Sequence, residues 1–191
     1  HETGIRTLPM DIYAQFRQTG KRIDYEKLYF DRRKRICGTL MMYKAYGNAY
    51  LNELCELLKA VCDEYSWALP AHTANSDDPT REIDLFAAET AMTLTEIAYI
   101  LSDLLPQELM QRIDREVTHR VISVFETRRF AWEEANHNWS AVCGGNIGMV
   151  YLYRGCKVPM RIMNAMAAYI VEYALSSAVR SQPARSYWKA P

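Results

Sequence analysis

Apolar residues recur at steps of three and four along almost the whole chain, a spacing that leaves little room for anything but helices. In 191 residues only eight glycines and seven prolines interrupt it. Asp24 is a suitable N-cap for a helix over 25–46, which Gly47 would stop. A second helix is predicted over 48–65, with Leu51, Leu54, Leu58 and Val61 on one face. Thr80 precedes a third over 81–104, striped by Ile83, Ala87, Ala91, Leu94, Ile97 and Leu101. Pro106 opens a fourth over 107–127, along Met110, Ile113, Val117 and Val121. A fifth is predicted over 140–153 and, after Pro159, a sixth over 160–177. Nothing alternates with period two for long, so no sheet is expected.

Helices joined by short turns predict an all-α array of antiparallel hairpins, able to close as a bundle, stack as a solenoid or curve into a toroid. No fixed repeat is visible, which argues against tetratricopeptide and armadillo arrays. Residues 1–23 are weakly patterned and read as a leader, and 24–191 as one helical domain. Beginning at His1 and ending in RSYWKAP, the chain reads as a piece of a longer protein. It shows no apolar signal-peptide core, and its compartment stays open between the cytoplasm and the periplasm or exterior.

Apolar residues make up 49% and charged residues 24%, which excludes a disordered chain. Lys+Arg and Asp+Glu are equal at 23, so no global field favours nucleic acid or an anionic membrane surface. An anionic partner must be held by a local cluster. No apolar run approaches the roughly 20 residues of a membrane helix. The five cysteines contain no CxxC pair and no Cys/His cluster, so neither a metal site nor a complete disulfide framework is expected. Cys55 and Cys62, seven apart, read as buried thiols. The run Arg32-Arg33-Lys34-Arg35 spreads around a helix and reads as solvated. Gly144 and Gly145, inside a predicted helix, suggest close helix packing or close approach of a ligand.

Two segments break the helical pattern with aromatic and hydrogen-bonding side chains together. One runs from Glu64 through Trp67 to His72; the other runs from Trp132 through Glu133, Glu134, Asn136, His137 and Asn138 to Trp139 and Ser140. Rings beside amides, imidazoles and carboxylates suit a sugar, which offers an apolar ring face and hydroxyls. Each residue also has a plainer reading. The tryptophans can be buried anchors, Asn138 a helix cap, His72 a loop histidine bonded to backbone, and the glutamates solvated first-turn acids.

The stretches DEYSWALPAH (63–72), EIDLFAAETAMTLTEIAYIL (82–101) and NWSAVCGGNIGMVYLY (138–153) resemble, in order, the helical domain of heparinase II/III-like polysaccharide lyases. The resemblance implies part of an incomplete (α/α) toroid, an acidic polysaccharide or oligosaccharide substrate, no cofactor and no metal. It also implies β-elimination at a uronic acid. The C5 proton is too weakly acidic while the adjacent carboxylate is charged, so a neutral amide or imidazole must hydrogen-bond that carboxylate first. A Tyr or His then takes the proton. By this resemblance Asn138 is the neutralising amide, with His137 and Asn136 as alternatives, and Tyr187 of the Tyr187-Trp188 pair is the candidate base. Trp67, His72, Trp132, Glu133, Asn136 and Trp139 are the candidate substrate contacts.

Two other readings stay open: another α/α-toroid carbohydrate enzyme such as an unsaturated uronyl hydrolase, and a non-catalytic glycan-binding or interaction module. The hydrolase would need paired carboxylates, offered only by Glu133, Glu134, Asp77 and Asp78. With Tyr187 as its one base and no β-sandwich, the isolated chain is expected to be inactive. A helix face left without its next hairpin is expected to favour self-association.

Overall fold

The computed structural model describes residues 4–180 apart from Arg6 and Asn136, with side chains to residue 171. Among these residues the fold is all-α, as expected. The helices are α1 (Met10–Thr19), α2 (Ile23–Tyr46), α3 (Leu51–Cys62), α4 (Leu85–Ile100), α5 (Gln107–Val117), α6 (Ser123–Thr127), α7 (Asn138–Tyr153) and α8 (Met160–Arg180). No strand occurs among them, and no helix is long and apolar enough to cross a membrane. Packing pairs α2 with α3, α4 with α5, and α7 with α8, while α4 against α7 forms the central contact.

Caps explain where the boundaries differ from the periodicity. The third predicted helix starts at Leu85 because Asp84, not Thr80, is its cap. The Asp84 Oδ1 accepts from the backbone N–H groups of Phe86 at 3.0 Å and Ala87 at 2.7 Å. Pro79–Arg81 instead wind a separate short turn, capped by Asp78. The fourth helix contains a π turn over Thr118–Ile122, a device often found near functional sites. It directs Arg120 back over the Trp67 ring and onto the Tyr65 carbonyl, 3.0 Å away.

The leader segment contains a helix that the periodicity did not predict. Residues 10–19 are helical, and Tyr13 is buried with its hydroxyl bonded to the Thr73 hydroxyl at 2.7 Å. Arg17 donates to the carbonyls of Ala74 and Ser76. Tyr13 is the only buried residue of α1, so its apolar pattern was too thin to read.

The basic run is corrected. Arg32 and Arg33 are not solvated; they converge on Glu64, whose side chain is wholly buried. Arg32 reaches Oε1 at 2.8 Å, and Arg33 donates to Oε2 at 2.6 Å while lying 3.5 Å over the Tyr29 ring. The Tyr29 hydroxyl donates to the Trp67 carbonyl at 2.9 Å. This network fixes the start of the 64–72 segment against α2.

The core runs from Ile36 on α2 through Leu54, Leu58 and Val61 on α3 to the α4–α7 contact. There α4 contributes small buried residues, Ala87, Ala88 and Ala91, which let its neighbour come close. On the far side of α7, a Cβ on Gly144 would meet Met166 Cγ at 3.0 Å and Ile162 at 3.7 Å, so α8 lies against glycine. Gly144→Leu should therefore overpack this contact and lower stability by about 1–3 kcal/mol. A melting temperature equal to or above that of the unsubstituted protein would contradict the close approach.

All five cysteines are free. Burial pushes the Cys62 thiol up to about 12 and raises Cys143 further, whereas Cys37 and Cys156 lie exposed. A thiol with that pKa is thiolate in roughly one molecule in ten thousand at pH 8. Alkylation of the native protein is thus expected at Cys37 and Cys156, with Cys62 and Cys143 reacting only on unfolding. Mass spectrometry of the native adducts checks this, and early labelling of Cys62 would contradict it.

Candidate functional site

One carboxylate ties the first of the two unusual loops to the start of α4. With Oδ1 capping α4, the Asp84 Oδ2 accepts from the Leu69 backbone N–H at 3.1 Å and lies 2.6 Å from His72 Nδ1. Pro70–His72 form a short helical turn, so His72 is presented at a fixed angle. Its imidazole lies parallel to the Phe86 ring, with centroids 5.9 Å apart, and edge-on to Trp139 at 4.9 Å. The WALPAH and ANHNW loops therefore meet at one place.

The second loop is held from beneath. The Trp132 indole N–H donates to the Ile83 carbonyl at 3.1 Å, and the Ser140 hydroxyl donates to the Trp132 carbonyl at 2.6 Å. His137, not Asn138, is the N-cap of α7: its Nδ1 accepts from the Trp139 backbone N–H at 3.2 Å. That bond leaves the proton of a neutral imidazole on Nε2. Asn138 is the first residue of α7 and is exposed. Its amide has no hydrogen-bond partner among the described residues and stands where backbone N–H groups of a 16-residue helix add positive potential.

Between the loops lies a cleft of about 460 Å³. His72, Asp84, Phe130, Trp132, His137, Asn138 and Trp139 line it, together with Glu82, Arg128 and Arg129. Arg128 pairs with Glu82 at 2.9 Å and Arg129 with Glu133 at 3.2 Å, yet the Arg128 side chain stays about half exposed and that of Arg129 largely so. The cleft thus offers an aromatic wall, two neutral hydrogen-bonding side chains at a helix start and two cations at the rim. An acidic sugar could use all three.

The structure sorts the candidate residues. His72, His137, Asn138 and Trp139 come together in the cleft and stay reachable. Trp67 does not belong there: it is 1% exposed, its indole N–H donates to the Val61 carbonyl at 2.9 Å, and Arg120 covers its face. A stacking platform needs an open face, so Trp67 is a core anchor. Trp132 forms the floor but is 4% exposed and stacked between Phe125 and Phe130, leaving an edge and no platform. Glu133 is corrected as well. Its carboxylate accepts from the Phe130 backbone N–H at 2.8 Å and pairs with Arg161 at 3.1 Å, clamping α8 to the loop. Asn136 and Tyr187 lie outside the described residues.

Residues that the sequence reading missed are Asp84, Phe86, Glu82, Arg128 and Arg129. Asp84 stands directly before the apolar run Leu85-Phe86-Ala87-Ala88, a readable cap signal that Thr80 had obscured. The arginines gave no signal beyond their charge. Among the described residues no group of three His, Cys, Asp or Glu could hold a metal ion, and no tyrosine lines the cleft. Compared with known proteins, the chain matches no family model and no curated protein.

Proposed function

We propose that the chain is the helical part of a polysaccharide lyase of the heparinase II/III-like kind, a portion of an (α/α) toroid that handles uronic-acid glycans by β-elimination. The observation that carries this reading is the convergence of His137 and Asn138, two neutral donors at the start of α7, on a cleft rimmed by Arg128 and Arg129. Elimination needs donors aimed at the uronate carboxylate as charge develops there, and preorganised donors in a cleft supply that without rearrangement. The rim arginines can each turn an N–H to the anion alongside their pairs with Glu82 and Glu133.

Hydrolysis fits less well. A glycosidase needs two free carboxyl groups across the scissile bond. Here Glu133 is clamped, Asp78 caps its own turn, Glu82 is held by Arg128 and Ser76, and Asp84 accepts four contacts, while Glu134 and Asp77 are exposed but do not line the cleft. Incubating the protein with heparan sulfate, chondroitin sulfate and alginate while following the unsaturated uronate chromophore tests the reading. Product from any of them supports elimination, whereas saturable binding without product leaves a glycan-binding domain.

Self-association is part of the same proposal, through a second copy of the chain. Leu152, Met160, Met163, Ile170 and Val171 are more than half exposed along the α7–α8 hairpin. Sedimentation at rising concentration should give a mass that climbs above 22.1 kDa. A constant monomer mass would remove this part.

A further inference from the structure

We infer that His72 and Asp84 form a proton-transfer dyad, with His72 Nε2 as the group that takes the C5 proton of a bound uronate. The choice of substrate rests on the lyase reading; the dyad itself rests on geometry. Asp84 is buried, and its Oδ2 lies 2.6 Å from His72 Nδ1. A carboxylate can only accept, so Nδ1 carries the proton, and whenever the ring is neutral Nε2 is its free lone pair. Nε2 has no partner among the described residues, the imidazole is 25% exposed, and it forms part of the cleft wall. The ring cannot easily swing away, since Phe86 lies parallel to it and Trp139 meets its edge.

The two histidines of the cleft are therefore set in opposite senses. His137 accepts at Nδ1 and offers an N–H at Nε2; His72 donates at Nδ1 and offers a lone pair at Nε2. One suits the carboxylate and the other the proton beside it. In the step, the C5–H bond breaks to His72 Nε2 and its electron pair forms the C4=C5 bond. The C4–O4 bond breaks, and the imidazolium returns the proton to O4, leaving His72 neutral. Between the two transfers the Asp84 carboxylate stabilises the imidazolium, as a buried carboxylate does for histidine in hydrolytic triads. With His72 as both base and acid, the expectation of an inactive chain, which took Tyr187 as the one base, gives way to turnover within the cleft.

His72→Asn is the decisive variant, because its amide can keep the bond to Asp84 while removing the proton acceptor. Nitrogen-15 spectra of the imidazoles should show His72 protonated at Nδ1, and diethyl pyrocarbonate should modify His72 at Nε2. A uronate oligosaccharide should protect it. In elimination assays His72→Asn should lose at least about 100-fold in kcat with KM within about threefold, the scale of a positioned acid–base group. Asp84→Asn should shift the tautomer away from Nδ1–H and lower kcat with KM within about threefold, a split that a merely structural contact would not produce. An Nε2-protonated His72, no protection by the oligosaccharide, or unchanged turnover in a folded His72→Asn protein would overturn the dyad. If no glycan yields unsaturated uronate while tautomer and protection are as stated, the lyase reading fails and the C5 assignment with it, and what stands is a His72–Asp84 pair with its Nε2 open to an acidic ligand.

Discussion

Glu64→Ala is expected to be the most destabilising single substitution among the charged residues, lowering the unfolding free energy by about 3–5 kcal/mol. The carboxylate sits on no exposed surface and is the shared counter-ion of Arg32 and Arg33. Removing it takes the shared carboxylate from two poorly hydrated cations, so the desolvation already incurred is less well offset. Arg33 also covers Tyr29, whose hydroxyl holds the Trp67 carbonyl, so the damage should spread to the 64–72 segment and to the seat of His72. Arg35→Ala is the control. Its pair with Glu53 is about one third open, and surface pairs of that sort contribute under about 1 kcal/mol. Urea unfolding of the two variants measures the contrast. Equal midpoints would show that the Glu64 cluster is incidental to stability.

Asn138→Ala carries the largest expected effect on chemistry. Its amide matters where negative charge grows on the uronate, and loss of one such donor typically costs on the order of 3 kcal/mol in the barrier, or 100- to 1,000-fold in turnover. Stability should barely change, because His137 rather than Asn138 caps α7 and the Asn138 side chain is bonded to nothing described. Steady-state rates of unsaturated uronate formation, with a melting curve for each protein, separate the two effects. Turnover within about threefold of the unsubstituted protein, roughly 0.7 kcal/mol, would reduce Asn138 to a bystander and pass the role to His137.

The helices were legible because their signal is local: apolar residues three and four apart remain so whatever the chain packs against. What α4 and α7 do to each other was not, since both are apolar nearly all round and a stripe gives no direction. The arginines of α2 show the same limit from the charged side. Nothing in Arg32-Arg33-Lys34-Arg35 marks which two will meet a buried glutamate about thirty residues later, because that partner is defined only by the fold. Within the cleft, His72, His137, Asn138 and Trp139 were readable as polar aromatic breaks between helices. The tryptophans misled for a physical reason: an indole suits a sugar face and a core equally, and Trp67 spends its one N–H on Val61. Asp84 escaped notice because a cap and a histidine partner look alike in sequence, and here one carboxylate is both.

The central claim is that the cleft between the 69–73 turn and the start of α7 receives an acidic sugar. Titrating the nitrogen-15-labelled protein with a uronate oligosaccharide, and in parallel with a neutral oligosaccharide of the same length, tests it most directly. Saturable shifts should converge on the His72 and His137 imidazoles, the Asn138 amide and the Trp139 indole, for the acidic ligand alone. They should weaken with added salt, since Arg128 and Arg129 at the rim are solvent-accessible and their charges are screened. Shifts that centre elsewhere, or that the neutral oligosaccharide reproduces equally, would contradict the claim.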